Sequence, residues 1–423
     1  MTSWARALLV PVFVLAVLGL AVLSLLGDLL APGSGASALL VVLDTRILLA
    51  VLVAAFGLAF LLYLLFLRGE DPENLVYSGQ SVEALVPVYR EADVMHRSVE
   101  HLAASEYEDL TVTIICEPDD DPCRERAAEL AADHDDVRWI SNDRPGSKAG
   151  ALNTAIEDSD ADAIAMFDSD QEPHPRLIPH AVAALDDYDA ARVRSLPDPS
   201  GGVIESMAYY EYLLLFFLPQ KLVRAFLGMG FVGTRSVLLR REVFDEVGTF
   251  SEDHLTEDMD FTHRCHQAGV RIRELFYYPT VEQPAHAFSD WWGQRVRWMT
   301  GHVAVGHSQV ADWRNWVNTD TLGSVLTLVG TFVAGIVMSM TVPKILLAGA
   351  SSPLVVGAGL AGFYGVPLLT RMVDNRTGDI EGIGLGWLLL PVAFSLFGLV
   401  ILQVIVTYAV GLDRDWYQVD KQA

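Results

Sequence analysis

The sequence contains few cysteines and few lysines. Its three cysteines, Cys116, Cys123 and Cys265, form no Cys-x-x-Cys pair and have no metal-ligand spacing to histidine. A disulfide framework and a cysteine-based zinc site are therefore not expected, and the pattern indicates free thiols in a reducing compartment. Only 4 of the 29 basic residues are lysine.

Negative charge is concentrated in the middle of the chain. The net charge is −25, and residues 69–320 contain 46 of the 54 acidic and 21 of the 29 basic residues. Such a block repels nucleic acid, so we expect no nucleic-acid partner. An acidic, lysine-poor surface is typical of proteins adapted to molar salt, which screens self-repulsion.

Long uncharged stretches flank this acidic block. Each has at least the roughly 20 apolar residues that cross a bilayer, and they cover residues 7–27, 47–67, 321–343, 345–370 and 382–412. The fourth contains glycines and Pro367 and could kink or re-enter the membrane. We predict a multi-pass protein of the cell membrane with membrane lipid as a partner.

The predicted domains follow from these stretches. Two transmembrane helices occupy residues 1–68, about three occupy 321–412, and a short tail follows at 413–423. Residues 69–320 form the soluble block. Arg68, Arg371 and Arg376 flank the span ends on its side, which predicts a cytoplasmic location for this block.

Two further stretches are rich in aromatic residues. Residues 209–227 contain three tyrosines, and residues 291–316 contain five of the nine tryptophans. Tyrosine and tryptophan favour the headgroup level of a membrane, so we interpret both stretches as helices lying on the inner membrane face. The alternative is that these aromatic residues belong to the core of the middle domain.

Alternating strand-like and helix-like segments organise the middle block. Short apolar runs predict strands at 82–88, 110–116, 137–141 and 162–168, and the intervening segments predict helices at 92–104, 122–132 and 146–158. This alternation implies right-handed crossovers and a parallel sheet. Ligands of such sheets bind beyond the carboxyl ends of the strands.

Two aspartates stand at the end of the fourth predicted strand. Because side chains alternate along a strand, Asp168 and Asp170 should face the same way. Two carboxylates suit Mg²⁺ or Mn²⁺, which take their other ligands from phosphates and water. In so acidic a chain an Asp-x-Asp sequence is also consistent with a solvated turn.

Five motifs occur in order along the block. They are Pro87-Val88-Tyr89-Arg90-Glu91, Lys148-Ala149-Gly150-Ala151-Leu152-Asn153, Asp168-Ser169-Asp170, Thr256-Glu257-Asp258 and Gln294-Arg295-Val296-Arg297-Trp298. In these motifs the chain resembles the membrane-embedded family 2 glycosyltransferases, of the branch that includes cellulose and hyaluronan synthases. The resemblance implies an α/β GT-A (Rossmann-like) catalytic domain with flanking transmembrane α-helices.

The resemblance also implies roles for individual residues. Nucleotide-binding residues would be Pro87, Glu91, Asp119, Lys148 and Asp168. Glu91 could instead cap the next helix, Asp120 could replace Asp119, and Lys148 could simply be exposed at a helix start. A helix start at residue 146 also offers N–H groups that suit a phosphate.

The metal and the reacting groups follow from the same motifs. Asp170 would bind Mg²⁺ or Mn²⁺, and Asp258 with Glu257 would form the catalytic pair, Asp258 being the base. Thr256 is expected to cap the helix that runs to Ala268. The alternative for Asp258 is an ordinary acidic residue at a helix N-terminus.

The last motif places three side chains on one helical face. Gln294, Arg297 and Trp298 stand at i, i+3 and i+4, and the resemblance implies contacts with the diphosphate and the acceptor. The alternative is an interfacial helix with a snorkelling arginine.

The expected activity is that of an inverting glycosyltransferase. It would move a sugar from a nucleotide sugar, such as a UDP-sugar, to a lipid-linked or growing glycan acceptor. Processive polysaccharide synthesis and single-sugar transfer to a polyprenyl phosphate or glycolipid both remain open. A nucleotide-sensing transporter or scaffold is the alternative of a different class.

Overall fold

The computed structural model describes residues 48–252, 256–311, 353–377 and 382–409, together with residues 330 and 380. These residues form two compact units. We call the described part of 66–198 and 230–290 the sheet unit. The described part of 1–65, 199–229 and 291–417 is the helical unit.

The sheet unit contains one eight-stranded sheet. In chain order the strands are β1 (Val82–Val88), β2 (Leu110–Cys116), β3 (Val137–Ser141), β4 (Ala163–Met166), β5 (Glu172–Pro173), β6 (Ala190–Pro197), β7 (Val237–Arg240) and β8 (Ile272–Glu282). Their spatial order is β3-β2-β1-β4-β7-β6-β8-β5. β3, β2, β1 and β4 run parallel, whereas β7 is antiparallel to β4. The prediction of parallel pairing is thus confirmed for these four strands, the fourth of which ends earlier than expected, but the sheet as a whole is mixed.

Helices alternate with these strands or follow them. The helices of the sheet unit are α2 (His96–Ala103), α3 (Asp121–Asp133), α4 (Lys148–Asp158), α5 (Leu177–Ala184), α8 (Arg241–Val247) and α9 (Glu257–Ala268). They cover both faces of the sheet, because each face has its own apolar cluster. In β4, Ala163 and Ala165 face one cluster, and Ile164 and Met166 face the other. A parallel strand buried on both faces explains the uninterrupted apolar run in the sequence.

The three cysteines are free and buried in the sheet unit. Burial raises the pKa of each thiol to about 12. The expectation of free thiols is therefore confirmed, and a raised pKa makes them poor nucleophiles.

The helical unit is built from long apolar helices. Its helices are α1 (Leu48–Arg68), α6 (Val203–Tyr212), α7 (Leu218–Leu227), α10 (Phe288–Ala311), α11 (Pro353–Thr377) and α12 (Leu390–Ala409). The first three residues of α10 belong to the sheet unit, and the helical unit contains α10 from Trp291 onward. A π-helical turn at Leu213–Phe217 joins α6 to α7. Among the described residues, three segments have the length and composition to cross a membrane, namely Ala50–Arg68, Val356–Arg376 and Gly386–Tyr408.

These segments match three of the five predicted spans. The predicted spans at 7–27 and 321–343 lie outside the described residues. The described part of the span predicted at 345–370 belongs to α11, which continues as one helix through Pro367 to Thr377. Arg371, used above as a flanking charge, is fully buried and lies over the ring of Tyr209 at 4.7 Å.

Part of each aromatic-rich stretch is buried in the helical unit, whereas Trp313 and Trp316 lie outside the described residues. Tyr209, Tyr210 and Trp291 are fully buried. Trp291 and Arg295 both donate hydrogen bonds to the buried carboxylate of Glu211, and the Arg295 Nη2 to Glu211 Oε2 distance is 2.7 Å. These aromatic residues are therefore core residues, as the alternative interpretation expected, but the core belongs to the helical unit.

One buried histidine should make stability depend on pH. His263 of α9 is 2 % exposed, and neither ring nitrogen has a hydrogen-bond partner among the described residues. Burial, and to a smaller extent His266, lowers the pKa of His263 to about 4, while Asp260 opposes the shift. As the pH falls from about 6.5 to about 4, the unfolded chain binds a proton that the folded chain resists, so folding stability falls by up to about 3 kcal/mol.

We expect His263→Leu to remove this pH-dependent contribution to folding stability. The thermal midpoint of the wild-type chain should fall more between pH 7.5 and pH 5 than that of the variant. His101→Gln is the matched control, since His101 is exposed on α2. Equal pH dependence in the wild type and His263→Leu would contradict the prediction.

Candidate active site

The sequence motifs meet at the carboxyl edge of the parallel strands. β1, β2 and β4 end at Val88, Cys116 and Met166. The segments that follow them contain Glu91, Glu117 to Asp120, and Asp168 to Asp170. Because parallel strands end at the same edge of the sheet, these segments are neighbours, as predicted.

Asp168 and Asp170 lie on a turn and not on the strand itself. β4 ends at Met166, and the chain turns at residues 169–170, so strand alternation was the wrong reason for their placement. Gln171 accepts a hydrogen bond from the Asp168 N–H at 2.9 Å and thereby fixes the turn. Asp170 is buried and accepts a hydrogen bond from the Gln283 N–H at 3.3 Å.

Two cations contact Asp168. The Lys148 ammonium donates to one carboxylate oxygen and, at 3.3 Å, to the carbonyl oxygen of Thr234. The Arg235 Nε lies 3.9 Å from the other carboxylate oxygen. Lys148 is thus an interacting residue of the site, and the alternative of a simply exposed lysine is wrong.

The start of α4 positions Lys148. Ser147 caps the helix by accepting a hydrogen bond from the Gly150 N–H at 2.9 Å. A side chain at Gly150 would collide with the carbonyl oxygen of Arg144, so glycine is required for this approach of loop and helix.

Glu91 contacts the Asp168-Ser169-Asp170 segment directly. Ser169 donates a hydrogen bond to the Glu91 carboxylate at 2.5 Å. Helix α2 begins only at His96 and has no side-chain cap, so the capping alternative for Glu91 is wrong. Arg90 adopts a left-handed φ of 56°, and its N–H donates to Asp120 at 2.5 Å. Pro87 lies within β1.

The acidic residues that follow β2 make different contacts. Asp120 is buried and caps α3 by accepting a hydrogen bond from the Cys123 N–H, whereas Asp119 is exposed. Glu117 was missed by sequence reasoning. Its carboxylate accepts hydrogen bonds from Asn142 at 2.7 Å and from the Gly146 N–H at 3.0 Å, so it fixes the loop that leads to Lys148.

Glu257 and Asp258 begin α9, as the sequence predicted. Glu257 is buried and accepts a hydrogen bond from the Thr234 hydroxyl at 3.4 Å. Asp258 is partly exposed, and one of its oxygens accepts from the Met259 N–H at 2.8 Å. Thr256 occupies the N-cap position, but its hydroxyl makes no capping hydrogen bond, so that part of the prediction was wrong.

Thr234 joins the two halves of the site. Its carbonyl group accepts from Lys148 and its hydroxyl donates to Glu257. The aspartate pair after β4 and the acidic start of α9 are therefore connected through one residue. Thr234 lies in the segment Gly230-Phe231-Val232-Gly233-Thr234-Arg235, which belongs to none of the five motifs.

A buried polar network, missed by sequence reasoning, supports the aspartate turn. The Gln171 amide donates to Ser236 at 3.1 Å and to Glu282 at 3.3 Å. The Arg235 Nη1 donates to both Glu282 oxygens, at 3.0 and 3.1 Å. Burial raises the pKa of the Glu282 carboxyl; the charge of Arg235 opposes this shift, and Asp170 and Asp168 add to it.

The Gln294 to Trp298 motif belongs to the helical unit, on α10. Gln294 accepts a hydrogen bond from Arg295, and the Trp298 ring contacts Phe216 at 5.5 Å between centroids. Arg297 is partly exposed. Arg295, which the motif reading passed over, is the buried partner of Glu211.

Residues 80–301 match the family model described as "Glycosyltransferase like family 2". The β-monoglucosyldiacylglycerol synthase of Trichormus variabilis is 25% identical over 276 residues, which are 63% of this chain and 58% of that protein. The poly-β-1,6-N-acetyl-D-glucosamine synthase of Staphylococcus aureus is 23% identical over 55% of this chain and 57% of that protein. The chain thus spans less than two thirds of these relatives.

A solved structure shares the fold. The mannosyltransferase PcManGT of Pyrobaculum calidifontis, in complex with GDP-Man and Mn²⁺, has a TM-score of 0.55 at 17% identity. The similarity covers 87% of this chain and 100% of that one. It identifies a GT-A fold, and the family match covers more than half of the residues, so the chain belongs to glycosyltransferase-like family 2.

Proposed function

We propose that the protein is a membrane-associated, inverting glycosyltransferase that uses a nucleotide sugar, with a UDP-sugar as the first candidate. The observation that carries this proposal is the connected set Asp168, Lys148, Thr234 and Glu257, which joins the aspartate turn to the start of α9. A donor-binding group and a general base are needed together for sugar transfer. A nucleotide-sensing transporter or scaffold would need only the first.

The residues of the aspartate turn fit a divalent cation. Asp170 and Asp168 offer carboxylate oxygens, the ligands that Mg²⁺ and Mn²⁺ prefer, and such ions are usually bound by one or two carboxylates plus substrate phosphates. No cluster of three or more His, Cys, Asp or Glu side chains suited to a metal occurs among the described residues, which is consistent with a site completed by the diphosphate. When bound, the metal would offset the negative charge of the departing diphosphate.

Asp258 is proposed to act as the general base. Its carboxylate would take the proton from the acceptor hydroxyl while that oxygen forms a bond to the anomeric carbon. The bond from this carbon to the diphosphate breaks on the opposite face, so the configuration inverts and the nucleoside diphosphate leaves with the bonding electron pair. Glu257 would hold the start of α9 close to Lys148, because both residues hydrogen-bond to Thr234.

The other motif residues have proposed roles in binding. Lys148 would contact the diphosphate, and Pro87, Glu91 and Asp119 would contact the nucleoside, since carboxylates accept hydrogen bonds from ribose hydroxyls and base N–H groups. On α10, Arg297 would contact the diphosphate, and Gln294 and Trp298 the acceptor.

The acceptor is proposed to be lipid-linked. Three apolar segments of membrane-spanning length support a membrane location, and one relative is named for a glycolipid product and the other for a polysaccharide. Processive synthesis, as in the cellulose and hyaluronan synthase branch, is the second candidate because of the Gln294 to Trp298 motif. We further propose that the sheet unit lies on the cytoplasmic side, where nucleotide sugars are available.

Asp258→Asn should abolish transfer while nucleotide binding persists. The amide retains the shape of the side chain but cannot accept the proton, so we expect the rate to fall by about 10²- to 10⁴-fold. The measurement is release of nucleoside diphosphate, with binding followed by calorimetry. Asp245→Asn, at an exposed position of α8, is the control, and an active Asp258→Asn enzyme would refute the assignment.

Asp170→Asn should weaken binding of the divalent metal. Loss of a charged ligand oxygen should raise the Mn²⁺ concentration needed for half-maximal UDP binding by about tenfold or more. Chelation should remove the metal-dependent part of UDP binding in the wild-type chain, and added Mn²⁺ should restore it. If Asp170→Asn and Asp245→Asn gave the same Mn²⁺ dependence, Asp170 would not be a ligand.

The length of the product separates the two acceptor classes. With a radiolabelled nucleotide sugar and native membrane lipids, we expect label in the lipid-extractable fraction with one sugar added per acceptor. The reason is that a lipid-linked acceptor keeps its hydrocarbon chain after a single transfer. A water-soluble ladder of long products would instead establish processive synthesis.

A further inference from the structure

A short loop in the sheet unit contains Arg235, an arginine outside the five sequence motifs. The loop runs from Gly233 to Ser236 and leads directly into β7. Gly233 and Ser236 both have left-handed backbone conformations, with φ of 73° and 49°. This conformation is unfavourable for most side chains and so defines where the intervening residues point. Ser236 is fully buried, which fixes the end of the loop.

Arg235 lies between two acidic residues at the site. Its Nη1 lies 3.0 Å from one Glu282 oxygen, and its Nε lies 3.9 Å from Asp168. The Glu282 side chain is only 10 % exposed, whereas the Arg235 side chain is 33 % exposed. The pair therefore has a buried anion and a cation that reaches the accessible side of the site.

Acidic groups lie close to Arg235. Glu282 and Asp168 contact it directly, and Asp170 belongs to the same turn as Asp168. A diphosphate that enters adds further negative charge. It can bind only if cations face it, and the guanidinium group is planar and suited to phosphate oxygens.

The contacts of Arg235 differ from those of a structural ion pair. Arg271, for comparison, pairs with Asp189 on the surface of the same unit, 3.0 Å apart and 62 % exposed. Arg235 instead shares Asp168 with Lys148, each cation on a different carboxylate oxygen. Its anchor, Glu282, also accepts a hydrogen bond from Gln171, the residue that fixes the aspartate turn.

We propose that Arg235 binds the diphosphate of the nucleotide sugar and that Glu282 positions it. Arg235 is a donor-binding residue in addition to Lys148. Glu282 acts through Arg235, because a buried carboxylate that orders the guanidinium group in advance lowers the entropy lost on binding. This inference rests on the proposed use of a nucleotide sugar.

The experiment measures binding to the full-length chain in detergent with Mn²⁺, by calorimetry. The probes are UDP, GDP and the nucleosides uridine and guanosine. We expect Arg235→Gln to weaken binding of the preferred diphosphate by about 10- to 100-fold and to leave nucleoside binding unchanged. Arg235→Lys should lose less, since it retains the charge, and Arg271→Gln should bind like the wild type.

Glu282 is tested by a double-mutant cycle. We expect Glu282→Gln alone to weaken diphosphate binding severalfold, and to cause no further loss in the Arg235→Gln background. Equal, additive losses would show that Glu282 does not act through Arg235. Thermal midpoints of all variants identify any that lose stability, and Arg235→Lys serves as the test if Arg235→Gln does not fold.

The outcomes distinguish this inference from the proposed function. If the wild-type chain binds neither UDP nor GDP, the proposed function fails and the inference fails with it. If the wild type binds a diphosphate and Arg235→Gln binds it equally well, only the inference is overturned. Equal weakening of diphosphate and nucleoside binding would likewise overturn it, since that result indicates a structural role.

Discussion

The balance of charge on Asp168 is the interaction on which the rest of the site depends. Asp168 lies just after the buried strand β4, and Lys148 and Arg235 each contact one of its oxygens. Without these cations, the nearby carboxylates of Asp170 and Glu282 would repel Asp168 at a distance where water screens little. The overall charge of −25 adds to this repulsion. The anionic donor proposed above could approach this edge only if local cations offset the surrounding field.

The loop from Gly233 to Ser236 contacts charged residues on both sides of the site. Thr234 contacts Lys148 through its carbonyl group and Glu257 through its hydroxyl, while the next residue reaches Asp168 and Glu282. One short loop thus connects the side that would hold the donor with the helix that would supply the base. A displacement of this loop would alter the contacts of Lys148 and of Glu257 at the same time. The left-handed backbone of Gly233 and Ser236 therefore contributes to the site geometry together with the polar side chains.

The helical unit has a charge constraint of its own. The ion pair of Glu211 with Arg295 is almost completely buried, and Trp291 donates to the same carboxylate. Loss of one partner of such a pair leaves an uncompensated buried charge, at a cost of about 3–5 kcal/mol. Since Arg295 lies inside the Gln294 to Trp298 motif, part of that motif stabilises the unit. Chemical roles are proposed only for its partly exposed members.

The sequence by itself determined the four parallel strands β1 to β4, the edge at which the motifs gather and the family, but not the strands β5 to β8. Local patterns are sufficient for this, because an apolar run predicts a buried strand and the order of parallel strands brings their carboxyl ends together. The sequence also identified Asp168, Lys148, Glu91 and Glu257, whose contacts the structure shows.

Only the tertiary structure decided which side chains meet. Arg235 and Glu282 are 47 residues apart, and nothing in the local pattern of either residue indicates a partner. Their contact depends on the pairing of β8 with β6 and on the backbone at Gly233 and Ser236. The turn that places Asp170, the cap made by Asp120 and the buried partner of Arg295 were decided in the same way. The physical reason is that periodicity encodes which face of an element is buried, whereas a specific ion pair depends on distances set by the whole fold.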